Sequence, residues 1–227
     1  MTEPLLALEG VSRSFGGLQA VRDVSLEVPA GSLTALIGPN GAGKTTLFAL
    51  MSGFLKPDRG RIRFGGEDIT GREPHRTALL GMTRTFQIVQ PFPKMTVLEN
   101  VAAGATFAGK ADSLKDAQAQ AREHVAFTGL IDSADKLAST LTLAQRKRLE
   151  LAKGLAMKPR VLMLDEVNAG LNPSEIDEAL RMIRKVAEQG VTIIVIEHLM
   201  KVVLSISQRI IVLHHGQLIA DGEPNAV

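Results

Sequence analysis

The 227-residue sequence predicts an α/β protein with a largely parallel sheet. Three observations predict it. Short, continuously apolar runs alternate with helix-like stretches, the pattern of strands covered on both faces. The first such run passes without a gap into a glycine loop and a helix start. Two later runs end in polar residues suited to chemistry, which parallel strands gather at their carboxyl ends.

The glycine loop is Gly38-Pro39-Asn40-Gly41-Ala42-Gly43-Lys44-Thr45-Thr46. It fits G-x-x-x-x-G-K-[ST], the loop whose backbone N–H groups cradle phosphates. Residues 33–37 read as the strand before it and residues 45–52 as the helix after it, closed by Gly53. Gly41 and Gly43 let N–H groups converge on phosphate oxygens, and the helix N-terminus adds positive partial charge. Lys44 then reaches the β- and γ-phosphates, and the Thr45 hydroxyl completes a Mg²⁺ shell. A glycine turn can precede a lysine for no chemical reason, but the flanking strand and helix favour a nucleotide-binding site.

The chain is long enough for one large domain or for a core with an inserted subdomain. Hydrophobic content of 45% with 22% charged residues is ordinary for a globular protein. The net charge is only +2 and no lysine-arginine block forms a basic stripe, which gives no case for nucleic acid as a partner. Cysteine is absent, which excludes disulfides and thiolate metal sites and fits a reducing compartment. The start, Met1-Thr2-Glu3-Pro4, is acidic and does not read as a signal peptide. The longest apolar runs, such as residues 191–196, fall far below the ~20 residues of a spanning helix. Any membrane role is then borrowed from a partner.

Residues 5–37 read as β structure with turns. Val24, Leu26 and Val28 alternate with Ser25 and Glu27 as in a half-buried strand, and Pro29-Ala30-Gly31 turns into the next one. Phe15, in Ser14-Phe15-Gly16-Gly17, is either an ordinary aromatic or a ring that stacks on a purine, in a chain with no Trp or Tyr. Residues 61–64 read as a short strand pairing antiparallel with the early ones. Pro91 and Pro93 then mark an extended boundary.

Residues 96–159 read as helical, with a capping start at Ser113-x-x-Asp116, although residues 104–125 carry too little apolar periodicity to place. Thr142 and Gln145 stand at capping-box spacing, ahead of a buried face of Leu149, Ala152, Leu155 and Ala156. Residues 161–164 read as a buried strand delivering Asp165-Glu166. Asn172-Pro173-Ser174-Glu175 starts a helix that ends before Gly190. Residues 192–196 form one more buried strand, delivering Glu197-His198, and residues 209–213 and 217–220 a hairpin around Gly216. The expected organisation is a single domain over 1–227. Its nucleotide-binding core, with an antiparallel β subdomain, takes 1–88 and 158–227, and a helical subdomain takes 89–157.

Hydrolysing a γ-phosphate requires a metal carboxylate, a group to orient water and a sensor of developing charge. Asp165, at the end of an apolar run, is the expected indirect Mg²⁺ ligand, and Glu166 is placed to polarise water. An acidic pair can also simply end a strand; beside the phosphate loop the chemical reading is preferred. His198 could equally be a hydrogen-bonded strand-end histidine, while His75, His124, His214 and His215 read as solvated or structural.

The whole order resembles the nucleotide-binding subunits of ABC transporters, over essentially the entire chain. Residues 38–45 look like their Walker A, Gln87 their Q-loop, and residues 161–166 their Walker B with its catalytic Glu. Ala169-Gly170-Leu171-Asn172-Pro173 looks like the D-loop and His198 like the switch histidine, and Phe15 sits where the family places its adenine-stacking aromatic. The resemblance implies a P-loop NTPase core that uses ATP and Mg²⁺. It makes Glu166, His198 and Gln87 catalytic, and Thr45, Gln87 and Asp165 servants of the metal. The nucleotide would be held by Phe15, by the phosphate loop from Gly38 to Thr46, and by Thr142, Ala144 and Gln145 lent to the opposite subunit. Arg84-Thr85-Phe86-Gln87, Met95-Thr96-Val97-Leu98-Glu99-Asn100 and Ile196-Glu197-His198 look most like the ATPase of branched-chain amino acid importers.

Such an ATPase would work at the cytoplasmic face of the membrane. Its partners would be permease subunits, a second ATPase subunit and, indirectly, a periplasmic or extracellular solute-binding protein. Related ATPases serve urea or lipopolysaccharide systems. Soluble ABC proteins acting on DNA or ribosomes usually carry two cassettes or long inserted coiled coils, and this chain has one cassette and neither insertion. A P-loop GTPase or small-molecule kinase is a further alternative, but an Asn-Lys-x-Asp guanine-reading motif is missing and kinases have no counterpart of residues 141–145 or of His198.

The chain departs from the family in three places. Its signature is Leu-Ser-Gly-Gly-Gln, whereas the matching stretch here is Leu141-Thr142-Leu143-Ala144-Gln145, without either glycine. Val167 replaces the usual Pro after the catalytic Glu, and Asn172 stands where many members have Asp. A competent phosphate loop beside a weakened signature favours pairing with a second, non-identical ATPase over the alternative, a homodimer.

Overall fold

The computed structural model describes residues 3–227; Met1 and Thr2, half of the acidic start, lie outside the described residues. Two sheets organise the chain. The smaller holds β1 (Leu6–Phe15), β2 (Leu18–Val28), β4 (Arg59–Phe64) and β5 (Glu67–Asp68), antiparallel, in the order β2-β1-β4-β5. The larger holds β3 (Leu33–Ile37), β6 (Met82–Arg84), β7 (Val161–Asp165), β8 (Thr192–Ile196), β9 (Arg209–His214) and β10 (Gln217–Gly222), in the order β10-β9-β3-β8-β7-β6. Every pairing in it is parallel except the β9–β10 hairpin.

The apolar runs explain the larger sheet. β7 and β8 are buried at every position, and alternate residues serve opposite faces. Met163, Ile194 and Ile196 point to the side of β1, β2, β4 and helix α1 (Lys44–Met51), where they share a core with Leu8, Phe48 and Phe64. Leu162, Leu164, Ile193 and Val195 face the other side, toward α6 (Pro173–Glu188) and α7 (Met200–Ile206), which supply Leu180, Ile183 and Val203. Each such side chain stabilises the fold by about 1.5–3 kcal/mol relative to exposure.

A third core lies among α3 (Val97–Phe107), α4 (Leu114–Phe127) and α5 (Leu143–Ala156). In α4 its buried residues are Ala117, Ala121 and Val125, spaced by four along one face. Alanine contributes little hydrophobic contrast, so the stripe leaves a weak trace in the sequence. It does allow close approach: at Gly104 of α3 an added Cβ would lie 2.8 Å from the Lys153 carbonyl of α5. Capping boxes start α3 (Thr96 with Glu99), α5 (Thr142 with Gln145) and α6 (Asn172 with Glu175), and Ser113 caps α4. The short helices α2 (Pro74–Leu79) and α7 were not foreseen, because six or seven residues are too few for a periodic signal.

Candidate functional site

The site grows from the carboxyl ends of β3, β7 and β8, adjacent in the sheet. Beyond β3 the chain turns at Gly38, with φ of 146°, where an added Cβ would sit 2.1 Å from the Leu213 carbonyl. Gly43, the N-cap of α1, has φ of 101°, and a Cβ there would lie 2.3 Å from the Ala20 carbonyl. Glycine at these two positions is a demand of packing as well as of backbone conformation. Lys44 folds back over the loop, its Nζ donating to the carbonyls of Gly38 at 2.7 Å and Pro39 at 3.0 Å.

A hollow beside the loop is lined by Phe15, Arg22, residues 40–46, Gln87, Glu166 and His215. A second hollow is lined by residues 37–40, Gln87, Glu166, Glu197 and His198. Asn40, Gln87 and Glu166 belong to both, so the two are one crevice over the strand ends. Phe15 lies on its rim, 43% exposed, with the Arg13 guanidinium 5.0 Å from its ring centroid. Phe15 is therefore no core aromatic, and one face of its ring already has a cation.

Glu166 is held by four hydrogen bonds. Its N–H donates to the Ile196 carbonyl of β8 at 3.1 Å, its carbonyl accepts from Lys147 Nζ of α5 at 3.0 Å and from the Ala169 N–H at 3.2 Å, and its Oε2 accepts from Gln87 Nε2 at 2.6 Å. These bonds maintain a left-handed backbone at φ of 47°, a conformation costing a non-glycine residue about 1–2 kcal/mol. Burial pushes the Lys147 ammonium below its ordinary pKa, while the nearby charges of Glu197 and Glu166 oppose the shift.

Asp165 sits just behind the crevice, 3% exposed. Its Oδ2 accepts from Arg84 Nη2 at 2.8 Å and its N–H donates to Thr85 Oγ1 at 3.2 Å. Arg84 is ringed by Phe86, Phe48 and Phe54, with its guanidinium carbon 5.3, 5.7 and 5.9 Å from their centroids. Glu197, 1% exposed, accepts from Asn168 Nδ2 at 2.6 Å and from the His198 N–H at 3.2 Å. His198 itself is exposed in the crevice.

The structure thus assembles Phe15, Gly38, Pro39, Asn40, Gly41, Ala42, Gly43, Lys44, Thr45, Thr46, Gln87, Glu166 and His198 around one crevice, with Asp165 behind it. It does not bring in Thr142, Ala144 or Gln145. Thr142 Oγ1 accepts from the Gln145 N–H at 3.3 Å and Gln145 Oε1 from the Thr142 N–H at 3.0 Å, closing the cap on itself. Ala144 lines a different, apolar hollow with Thr85, Phe86 and Leu171. Sequence reasoning missed Arg84, Lys147, Asn168 and the carboxylate of Glu197, charged or polar residues whose partners are distant in the chain.

A crevice at the carboxyl ends of parallel strands, floored by a phosphate loop and flanked by carboxylates, defines a nucleotide-binding α/β protein. Residues 21–169 match the ABC transporter family. The chain is 41% identical, over its whole length and 94% of the relative, to the high-affinity branched-chain amino acid transport ATP-binding protein BraF of Pseudomonas aeruginosa. It is 39% identical, with the same coverage, to LivG of Escherichia coli K12, which carries the same description. Its fold matches the crystal structure of the ADP conformation of MJ1267, an ATP-binding cassette of an ABC transporter. That match has a TM-score of 0.87 and 33% identity, covering 98% of this chain and 92% of the other. The chain belongs to the ABC transporter family and is one of its ATPases. No helix among the described residues is long and apolar enough to cross a membrane.

Proposed function

We propose that this chain is the ATP-hydrolysing subunit of an importer for branched-chain or other hydrophobic amino acids. The observation that carries the reading is identity of 41% along the whole chain with a protein described as serving branched-chain amino acid transport. It would bind at the cytoplasmic face of the membrane to permease subunits, which meet a solute-binding protein on the far side. The α3–α5 unit, within residues 89–157, would be a subdomain set on the ATP-binding core of 1–88 and 158–227.

In this reading the adenine ring stacks on the free face of Phe15, and backbone N–H groups of residues 38–46 receive the phosphates. Lys44 exchanges the two carbonyls it now holds for β- and γ-phosphate oxygens. Glu166 accepts the proton of the attacking water, and His198 meets the γ-phosphate from β8. Gln87 keeps Glu166 aimed, and because it lies between the core and α3 it can relay movement of the helices. The donors fit a hard cation: the Thr45 hydroxyl and the Gln87 amide oxygen, which stays available because Gln87 bonds Glu166 through its nitrogen, with the Asp165 carboxylate behind them as an indirect ligand. Mg²⁺ held there would neutralise phosphate charge during transfer.

Thr142, Ala144 and Gln145 would act on the nucleotide of the opposite subunit, through N–H groups at the start of α5. Without glycines this lid is the weaker half, which supports a partner that is a second, different ATPase. The test of function is reconstitution with the membrane subunits encoded beside this chain. Stimulation of ATPase by a binding protein loaded with leucine, isoleucine or valine is the expected result. Stimulation only by an unrelated solute, such as urea, would overturn the assigned substrate.

A further inference from the structure

Among the described residues, two side chains of α5 hydrogen-bond across to the ATP-binding core. Arg148 pairs with Glu178 on α6, a tie between helix surfaces. Lys147 is different. Its aliphatic stem lies in an apolar hollow with Phe86, Leu151, Leu164, Val167 and Leu171, and its ammonium ends on the Glu166 carbonyl at 3.0 Å. The carbonyl it holds belongs to the residue whose φ is 47°. A change in the backbone torsions of Glu166 would re-aim its side chain, and a left-handed glutamate persists only where its surroundings over-determine it. One of the four groups that do so stands on α5, a helix whose core joins α3 and α4 and which also lays Leu151 and Leu155 beside Leu162 and Leu164 of β7.

We propose that Lys147 is a positioning residue that makes the aim of Glu166 depend on the position of this chain's own α5 helix. The inference rests on the reading of Glu166 as the water-polarising carboxylate. Lys147 lies two residues beyond Gln145, on the same rigid helix. A shift of α5 toward a neighbouring subunit therefore pulls on the peptide that orients Glu166. Arg148–Glu178 and the packing of Leu151 and Leu155 tie α5 to the core as a body, and the ammonium–carbonyl bond joins the lid this chain lends to Glu166 itself.

The test uses the reconstituted transporter and three variants of this chain, with kcat, KM for ATP and the thermal midpoint measured for each. Lys147→Met keeps the stem in its hollow and removes only the charge and the donors. It should lower kcat about tenfold while KM moves less than about twofold and the midpoint stays put. Lys147→Arg, which retains a cationic donor, should recover kcat to within about threefold of the wild type. Added to Glu166→Gln, Lys147→Met should cause no further loss, because the group it positions is gone. Wild-type kcat in Lys147→Met, an equal loss in Lys147→Arg, or a further loss on top of Glu166→Gln would each overturn the proposal. Full turnover in Glu166→Gln alone would instead overturn the reading of Glu166 itself.

Discussion

The two ends of the proposed composite ATP site, both carried by this chain, are built in opposite ways. The phosphate loop is crowded: at Gly38 and Gly43 an added Cβ would meet a carbonyl at 2.1 and 2.3 Å, and the loop lies against β2 and β9. Beyond the buried Leu141, residues 142–145 are open, with Leu143 49% exposed and the Thr142–Gln145 side-chain cap bonded only to itself. One is shaped by the whole fold, and the other is a helix start that would form the same way on many helices. The fold should therefore tolerate change at the lid and not at the loop. Leu143 illustrates this, since its Cδ2 lies 2.8 Å from where a Cβ on Gly170 would stand. The side chain that replaces a glycine in the signature rests where the D-loop supplies a glycine.

The comparison breaks first if the loop proves dispensable. Lys44→Ala should reduce hydrolysis about a thousandfold, since it removes the cation facing the transferred phosphoryl group. ATP affinity should fall about tenfold or more in the same variant. Nucleotide titration followed by a phosphate-release assay checks both, and undiminished hydrolysis would sink the assignment of the site. Glu166→Gln should lower turnover about a hundredfold and leave ATP binding near wild type, because Asp165 and Lys44 remain. Its ATP-held dimer should then accumulate on size exclusion in the presence of partner subunits.

Stability sharpens the same contrast with one residue type. Leu162, fully buried in β7, should cost about 2–5 kcal/mol on replacement by Ala, whereas the exposed Leu143 should cost less than about 0.5 kcal/mol. Urea denaturation of the two variants gives the comparison directly. Equal losses would mean that the lid is as integrated as the sheet. Smaller still should be the effect of Gln87→Ala on stability, since the side chain is exposed and its bond is to another side chain. That variant should nevertheless uncouple transport from ATP hydrolysis, measured as solute taken up per phosphate released.

How much could be read in the sequence follows the same division. The strands 33–37, 161–165 and 192–196 were legible because strands buried on both faces require continuous apolar runs. The phosphate loop was legible because its glycines stand at fixed spacing, and the helix starts because their caps are local. The α4 helix was hard to place because its buried stripe is mostly alanine. Arg84 was illegible for another reason. An arginine ahead of Gln87 carries no local mark that its partner, Asp165, lies 81 residues on, or that Phe48, Phe54 and Phe86 enclose it. The bond from Lys147 to the Glu166 carbonyl likewise depends on how α5 is laid against β7, a relation that no spacing records.

The central claim, a competent site joined to a weakened lid, is tested most directly by measuring ATPase activity of this chain alone at high concentration, and then with the second ATPase encoded beside it. The account predicts low activity alone and a marked rise with the partner. That rise should disappear when Glu166→Gln is placed in this chain, because the partner's signature then covers a site that cannot turn over. High, cooperative activity of the chain alone, unchanged by the partner, would contradict the account and show that Leu141-Thr142-Leu143-Ala144-Gln145 is a sufficient lid.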